Sequence, residues 1–305
     1  MGSFVEHPPS GGPNFRSLSL PVLLVAACLG GVKESQALLD DSQVFPPPPR
    51  VASFNIRHFG NAKMSRPTVV ENILKILDRY DLVFIMETRD QRMTSLVQLR
   101  QELGEQEWDY VTSKPIGRSS YKELYVFFYR PKVVTLLGSQ KFKDTQDVFE
   151  RDPYIAEFQY FSHFSGSEVK VTFIGAHLDP DDVVAEMRAL PEVISTARRL
   201  FPESGAYITM GDLNADCYYM DCLEREQTAL FSSPELYTSL IPDKADTTVS
   251  HNTHCAYDRV VVTVHDHPKL KVANVTVYNF EVDLGLSFDD AWAVSDHYPV
   301  EFILA

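Results

Sequence analysis

An α+β fold is predicted for this chain by three observations. Short apolar runs of strand length recur from residue 51 to residue 304, amphipathic helical stretches fall between them, and turn-rich loops separate the two. No internal repeat and no second linker interrupts the pattern, so one compact domain from about residue 50 to 305 is expected. With 44% hydrophobic and 11% aromatic residues, the chain has ample material for its core.

Ahead of the fold, Arg16 precedes an apolar run over residues 18–29 that is too short to span a bilayer, and small or polar residues follow up to Ala37. Residues 1–37 are read as a secretory signal peptide and leader, with a retained signal anchor as the alternative. Residues 38–50 form a proline-rich linker in which residues 46–49 make a stiff polyproline spacer.

Residues 51–56 read as the first strand. Ser65 as N-cap and Pro67 at the first helical position then open a helix with Val70, Ile73, Leu74, Leu77 and Tyr80 at helical spacing. The apolar run 82–86 is a buried strand that delivers Glu87 at its end, and a second helix covers residues 94–103. Strands at 108–112 and 124–129 are joined by the loop 115–123, and residues 144–152 form an acidic loop. The strand 171–176 ends in His177. Asp179-Pro180 supplies a cap and first residue for a helix with Val183, Met187, Leu190, Ile194 and Ala197 on one face. Pro191 lies in that helix and removes a hydrogen bond to the Met187 carbonyl, which predicts a kink or break. The run Tyr207-Ile208-Thr209-Met210 leads into Gly211-Asp212-Leu213-Asn214; strands at 259–264 and 298–304 follow, the last preceded by Ser295-Asp296-His297.

The formal net charge of −14 argues against simple electrostatic capture of nucleic acid, although divalent cations offset carboxylates in a phosphate-cleaving enzyme. Loss of the signal removes Cys28 and leaves Cys217, Cys222 and Cys255, which in a secreted protein give one disulfide and one thiol, with three pairings open. Asn274-Val275-Thr276 is a glycosylation sequon consistent with secretion.

Asn55, Glu87, His177, Asp212, Asn214, Asp296 and His297 each sit within an apolar strand-like run or at one of its ends. If those ends converge, one cleft holds histidines, carboxylates and carboxamides, an inventory suited to phosphodiester hydrolysis. One histidine takes a proton from water; the other, held cationic, protonates the leaving oxygen; a carboxylate fixes the tautomer of each. A hard cation on Glu87 and nearby oxygens polarises the phosphoryl group, and the Asn55 and Asn214 amides donate to its oxygens. No Gly-x-Ser-x-Gly elbow or His-Glu-x-x-His motif supports a serine hydrolase or a zinc protease.

These residues fall in a series of segments: Phe54-Asn55-Ile56-Arg57, Met86-Glu87-Thr88-Arg89-Asp90, Gly117-Arg118-Ser119-Ser120-Tyr121-Lys122-Glu123, Met210-Gly211-Asp212-Leu213-Asn214-Ala215-Asp216-Cys217, Cys255-Ala256-Tyr257-Asp258-Arg259 and Ser295-Asp296-His297-Tyr298-Pro299-Val300. In that order, from about residue 51 to 304, the chain resembles the secreted deoxyribonuclease I family of the endonuclease/exonuclease/phosphatase superfamily. The resemblance implies a four-layer sandwich, two mixed β-sheets packed face to face with helices on the outside. It also implies that residues 51–305 are a catalytic domain performing Mg2+-dependent (or Mn2+-dependent), Ca2+-supported endonucleolytic cleavage of DNA.

Carried over by position, His177 and His297 resemble the catalytic histidines, oriented by Glu123 and Asp258. Asn55, Glu87, Asp212, Asn214 and Asp296 resemble the metal and phosphate cluster. Arg57, Arg89, Tyr121 and Arg151 match residues that touch DNA, with Arg89 and Tyr121 at the minor groove of a double strand, where contacts carry little base specificity. Asp147, the Phe149 carbonyl and Asp152 match one calcium loop, and Asp246, Thr248 and Thr253 another; the disulfide implied is Cys217 to Cys255. A monomeric extracellular protein with no membrane span in its mature domain is expected.

Several positions depart from the family pattern. The small extra disulfide of some relatives before Asp147 is absent, Ser119 stands where relatives often have Asn, and Leu178 and Asp179 replace smaller residues beside His177. Thr112 and Tyr154 fall where the actin-binding member has small apolar residues, so actin binding is not expected. A basic C-terminal tail found in some relatives is missing, which argues against special activity on packaged DNA. An abasic-site endonuclease, a sphingomyelinase or an inositol phosphatase shares much of the residue set, but the Arg118 to Glu123 loop with Cys217 and Cys255 points to the deoxyribonuclease branch. A catalytically silent binding protein on the same scaffold is disfavoured by the presence of both histidines and both carboxylates that would orient them.

Overall fold

The computed structural model describes residues 46–263 and 270–305. The predicted signal peptide, Cys28 and most of the linker lie outside the described residues, as does Val264 at the end of a predicted strand. The first elements are β1 (Arg50–Phe59), α1 (Asn61–Met64), α2 (Pro67–Leu77), β2 (Leu82–Thr88), α3 (Thr94–Leu103), β3 (Asp109–Thr112), β4 (Leu124–Tyr129), β5 (Val134–Lys141), β6 (Tyr154–Ser162) and β7 (Ser167–Gly175). They continue with α4 (Val183–Leu200), β8 (Ala206–Asp212), α5 (Cys222–Glu226), α6 (Ala229–Ser232), β9 (Tyr237–Ser239), β10 (Asp258–Thr263), β11 (Val272–Val277), α7 (Phe280–Asp283), α8 (Phe288–Val294) and β12 (Val300–Leu304). Among the described residues no helix is long and apolar enough to cross a membrane.

The strands form two six-stranded sheets, ordered β11-β12-β1-β2-β4-β3 and β5-β6-β7-β8-β10-β9. Each is mixed, because β1 with β2 and β7 with β8 run parallel while their other neighbours are antiparallel. The period of two along each strand sorts side chains into layers. On β2, Val83 and Ile85 pack with Ile73 of α2 and Leu96 of α3, whereas Leu82, Phe84 and Met86 face Phe173, Ile208 and Val260 of the other sheet. Ile174 and Tyr207 point the opposite way, onto Met187, Leu190 and Ile194 of α4. The result is a four-layer α+β sandwich, as the resemblance implied. Close approach of the sheets depends on Gly175, where a Cβ would lie 2.3 Å from the Phe84 ring.

Three local readings change. Arg66, not Ser65, is the N-cap of α2; Ser65 ends α1, its hydroxyl donating to the Ala62 carbonyl at 2.9 Å. Asp179 forms a turn ahead of α4, which begins at Val183 with Asp182 as its N-cap. Helix α4 also runs through Pro191 without a break. Met187, Leu190, Val193, Ile194 and Ala197 are buried on both sides of the proline. At about 1.5–3 kcal/mol for each large side chain, their burial outweighs the roughly 3 kcal/mol cost of an internal proline.

Candidate active site

The same alternation that builds the core aims the polar residues. Phe54 and Ile56 pack under the helices, so Asn55 between them faces the gap between sheets. Ile208 and Met210 face that gap from β8, and two residues on Asp212 faces it too. Asn55 and Asp212 meet there, Nδ2 to Oδ2, at 3.1 Å. On β10, Asp258 stands two residues before inward-facing Val260 and pairs in register with Asp212. His177 follows Phe173 and Gly175 in the same phase.

Two irregularities complete the cluster. The pairing of β2 with β1 and with β4 shifts register around Glu87, whose φ is 57°, so a bulge turns a carboxylate inward that plain alternation would not place there. Gly211 has φ 151°, and a Cβ there would lie 1.7 Å from the Ala176 carbonyl oxygen. Only glycine lets the strand carrying Asp212 press against the segment entering His177.

Two histidine–carboxylate pairs converge on Asp212. His177 Nδ1 lies 3.2 Å from Glu123 Oε1 and His297 Nδ1 lies 2.8 Å from Asp258 Oδ2. The Nε2 atoms lie 3.7 and 3.5 Å from the same Asp212 oxygen, Oδ2. Burial pushes the pKa of each imidazole down, but Glu123 and Asp212 raise that of His177 on balance. Asp258 and Asp212 raise that of His297 well above its ordinary value. Glu87 is driven up by burial, yet His177, the His58 N–H and the Asn55 amide outweigh this and hold it below the usual carboxylate range.

Both amide hydrogens of Asn55 are committed, one to Glu87 Oε1 at 3.2 Å and one to Asp212, which leaves its buried Oδ1 without a partner. Asn214, at φ 48°, donates its amide to the Leu178 carbonyl at 2.8 Å and so steadies the His177 segment. Asp296 Oδ1 is a second buried oxygen without a hydrogen-bond partner. Ionised Glu87 beside the orphaned oxygens of Asn55 and Asp296 is a donor set that fits a hard divalent cation. Asp212, Asp258 and His297 also place one ligand atom each within 4.8 Å of one another. There, however, the Asp258–His297 hydrogen bond already occupies the pair, so proton chemistry is the better use of those atoms.

The residues matched to DNA contacts line up around the cluster. Arg57 pairs with Asp296 at 3.4 Å, the Arg89 guanidinium lies 4.0 Å from the Tyr121 ring centroid, and Arg151 reaches Glu123 at 3.3 Å and the His177 carbonyl at 3.2 Å. The calcium candidates divide. Asp246, Thr248 and Thr253 are joined, the Thr248 hydroxyl reaching Asp246 Oδ1 at 2.7 Å and the Thr253 carbonyl at 2.6 Å. Asp147 instead pairs with Arg118 at 3.1 Å and Asp152 with Lys141, while the buried Phe149 donates its N–H to Asp144.

Three supporting residues were missed by the sequence reading. The Ser295 hydroxyl donates to the Asn55 carbonyl at 2.6 Å and accepts from the Arg57 and His297 N–H groups, both at 3.2 Å. The Tyr125 hydroxyl accepts the His177 N–H at 2.7 Å. Glu186, buried on α4, accepts the N–H of Glu150 at 2.6 Å and of Asp179 at 2.8 Å, tying the Arg151 loop to the His177 segment. Burial pushes its carboxyl up to about 7. Cys217 and Cys255 are disulfide-bonded and Cys222 is free and exposed. The bridge joins the loop after Asp212 to the loop before Asp258.

Comparison with known proteins agrees with this architecture. The Endonuclease/Exonuclease/phosphatase family matches residues 52–297. Similar proteins include Deoxyribonuclease-1 of Canis lupus familiaris, 40% identical over 84% of this chain and 91% of its own length, and Deoxyribonuclease-1 of Homo sapiens, 40% identical over 84% and 92%. Deoxyribonuclease-1-like 2 of Mus musculus is 36% identical over 83% and 90%. Among solved structures, the human Nocturnin catalytic domain has a TM-score of 0.60 at 15% identity, over 85% of this chain and 94% of that one, which speaks to the fold alone. The chain belongs to the endonuclease/exonuclease/phosphatase family and, within it, to the deoxyribonuclease I family.

Proposed function

We propose that the chain is a secreted, divalent-metal-dependent endodeoxyribonuclease that hydrolyses DNA phosphodiester bonds with low sequence specificity. Membership of the deoxyribonuclease I family supports DNA hydrolysis, and the convergence of two histidine–carboxylate pairs on Asp212 is the observation that carries the mechanism. His177, held by Glu123, takes a proton from the attacking water as the new P–O bond forms. His297, kept cationic by Asp258 and Asp212, protonates the leaving oxygen as the old P–O bond breaks. Glu87, Asn55 and Asp296 would hold Mg2+ or Mn2+, which when bound offsets charge on the phosphoryl oxygens. Arg57 and Arg151 position the phosphate, and stacked Arg89 and Tyr121 enter the minor groove of a double strand.

The Cys217–Cys255 disulfide favours an oxidising, extracellular setting. Ca2+ is assigned first to the Asp246, Thr248 and Thr253 loop, which bridges directly to His297 through Thr248; Asp147, the Phe149 carbonyl and Asp152 are the second site. Actin is not a proposed partner, because buried Tyr154 donates its hydroxyl to the Thr112 carbonyl at 3.0 Å and fills the place of a small residue. The protein acts as a monomer.

Purified protein incubated with supercoiled plasmid, Mg2+ and Ca2+ should nick it, and the His177→Ala and His297→Ala variants should lose that activity by about 10²–10⁴-fold. No nicking by the wild type overturns the nuclease reading. Nicking retained in both variants overturns the catalytic assignment.

A further inference from the structure

Helix α8 carries two large aromatic residues that its own packing does not consume. Phe288 and Trp292, four residues apart on one face, are each 37% exposed, with ring centroids 5.6 Å apart. The row continues to His251 on one side, 4.5 Å from Phe288, and to the Arg57 guanidinium on the other, 5.0 Å from the Trp292 ring. Arg57 is bonded to Asp296, so the row ends at the catalytic cluster. Beside it lies a cavity of about 480 Å3 lined by Trp292, Arg57, His58 and Arg66, with Asp289 the carboxylate on its wall. Arg57 and Arg66 stand on that wall beside the exposed rings, with Asp289 on it and Asp296 against Arg57, so two guanidiniums flank the aromatic face within a rim of mixed charge.

We infer that the Phe288–Trp292 face is a stacking platform for unpaired nucleotides of a DNA strand whose scissile phosphate sits in the catalytic cluster. An exposed indole offers a flat face but no base-specific hydrogen-bond pattern, so it binds any base whose own face is free. A base inside a duplex has no free face, so the occupant is single-stranded. Arg57 and Arg66 then meet the backbone of that strand. The inference rests on the nuclease reading and adds a second substrate form to it: the protein cleaves single-stranded or frayed DNA with help from α8.

Trp108 is buried and Trp292 is partly exposed, so ligand-dependent fluorescence reports on Trp292. In the His177→Ala/His297→Ala double variant, a single-stranded oligonucleotide should quench this emission at concentrations at least about fivefold lower than an abasic strand of equal length, or a duplex of equal sequence. Equal quenching by the abasic strand reduces the surface to phosphate attraction and overturns the platform. In the active protein, Phe288→Ala and Trp292→Ala should each lose at least about fivefold more activity on single strands than on supercoiled plasmid. Phe288→Ala does so without touching Arg57, and Trp292→Phe should recover most of the loss. Equal losses on both substrates overturn the inference. A wild-type protein that fails to nick plasmid strikes the nuclease reading, while the fluorescence titration still judges the platform by itself.

Discussion

Asn55 donates a hydrogen bond across the space between the two sheets to Asp212, Nδ2 to Oδ2, at 3.1 Å. One sheet thereby fixes a carboxylate of the other, and an imidazole from each side approaches it, His177 after β7 and His297 ahead of β12. Asp212→Asn keeps the size of the side chain and removes its charge from beside His177 and His297. Its plasmid-nicking rate should fall by about 10²-fold or more, with a melting temperature within a few degrees of wild type. A variant that cleaves at the normal rate would show that the shared carboxylate has no part in the reaction.

Asp258→Asn tests the orientation of His297. In the fold, burial lowers the imidazole pKa but Asp258 and Asp212 together raise it well above 6.5, so the proton-donating form is lost only as pH rises through that raised value. Without the Asp258 charge the folded value drops, and the alkaline limb of the kcat/KM profile should move to lower pH while the maximum falls by about 10²-fold. An alkaline limb left in place refutes the assignment.

Glu186 gives a pH-dependent stability of known sign. Unfolded, it ionises near its ordinary value of 4.5; folded, burial pushes it up to about 7. Between those values the unfolded chain has released a proton that the folded chain retains, so stability falls as pH rises through this window, by up to about 3 kcal/mol. In melting curves from pH 5 to pH 8, Glu186→Gln should fall less steeply than wild type. Parallel curves would remove Glu186 from the account.

The Cys217–Cys255 bridge spans 38 residues of sequence. On the loop-entropy model this is worth about 4 kcal/mol, so the Cys217→Ser/Cys255→Ser variant should melt roughly 8–12 °C lower. It should also lose activity ahead of unfolding, because the bridge steadies the loop that enters Asp258. A reducing agent should reproduce both effects in the wild type and neither in the variant.

Much of the site was legible because it follows strand periodicity. Asn55, His177 and Asp212 are each in phase with apolar residues that face the sheet gap, and a reader of the sequence sees that phase directly. Glu87 was found at a strand end, but its bulge is a property of two pairings and is invisible in one strand. Strands β5 and β6 were passed over because no continuous apolar run marks them: in β6, Glu157 and Gln159 alternate with Ala156, Phe158 and Tyr160, which are buried. Glu186, Tyr125 and Ser295 escaped notice for another reason. Their partners are backbone groups 2 to 240 residues away, and backbone leaves no trace in composition.

Strand β12 follows β1 with ten other strands between them in sequence, yet it is not an edge strand. It lies between β11 and β1, pairing Phe302 with Val51. A chain emerging from the ribosome therefore cannot close this sheet until residues 300–304 have been made, and it holds the apolar strand β1 unpaired on that side until then. Such long-range pairing slows folding and prolongs exposure to aggregation. Deletion of residues 300–304 should send the protein to quality control rather than yield a weakened enzyme.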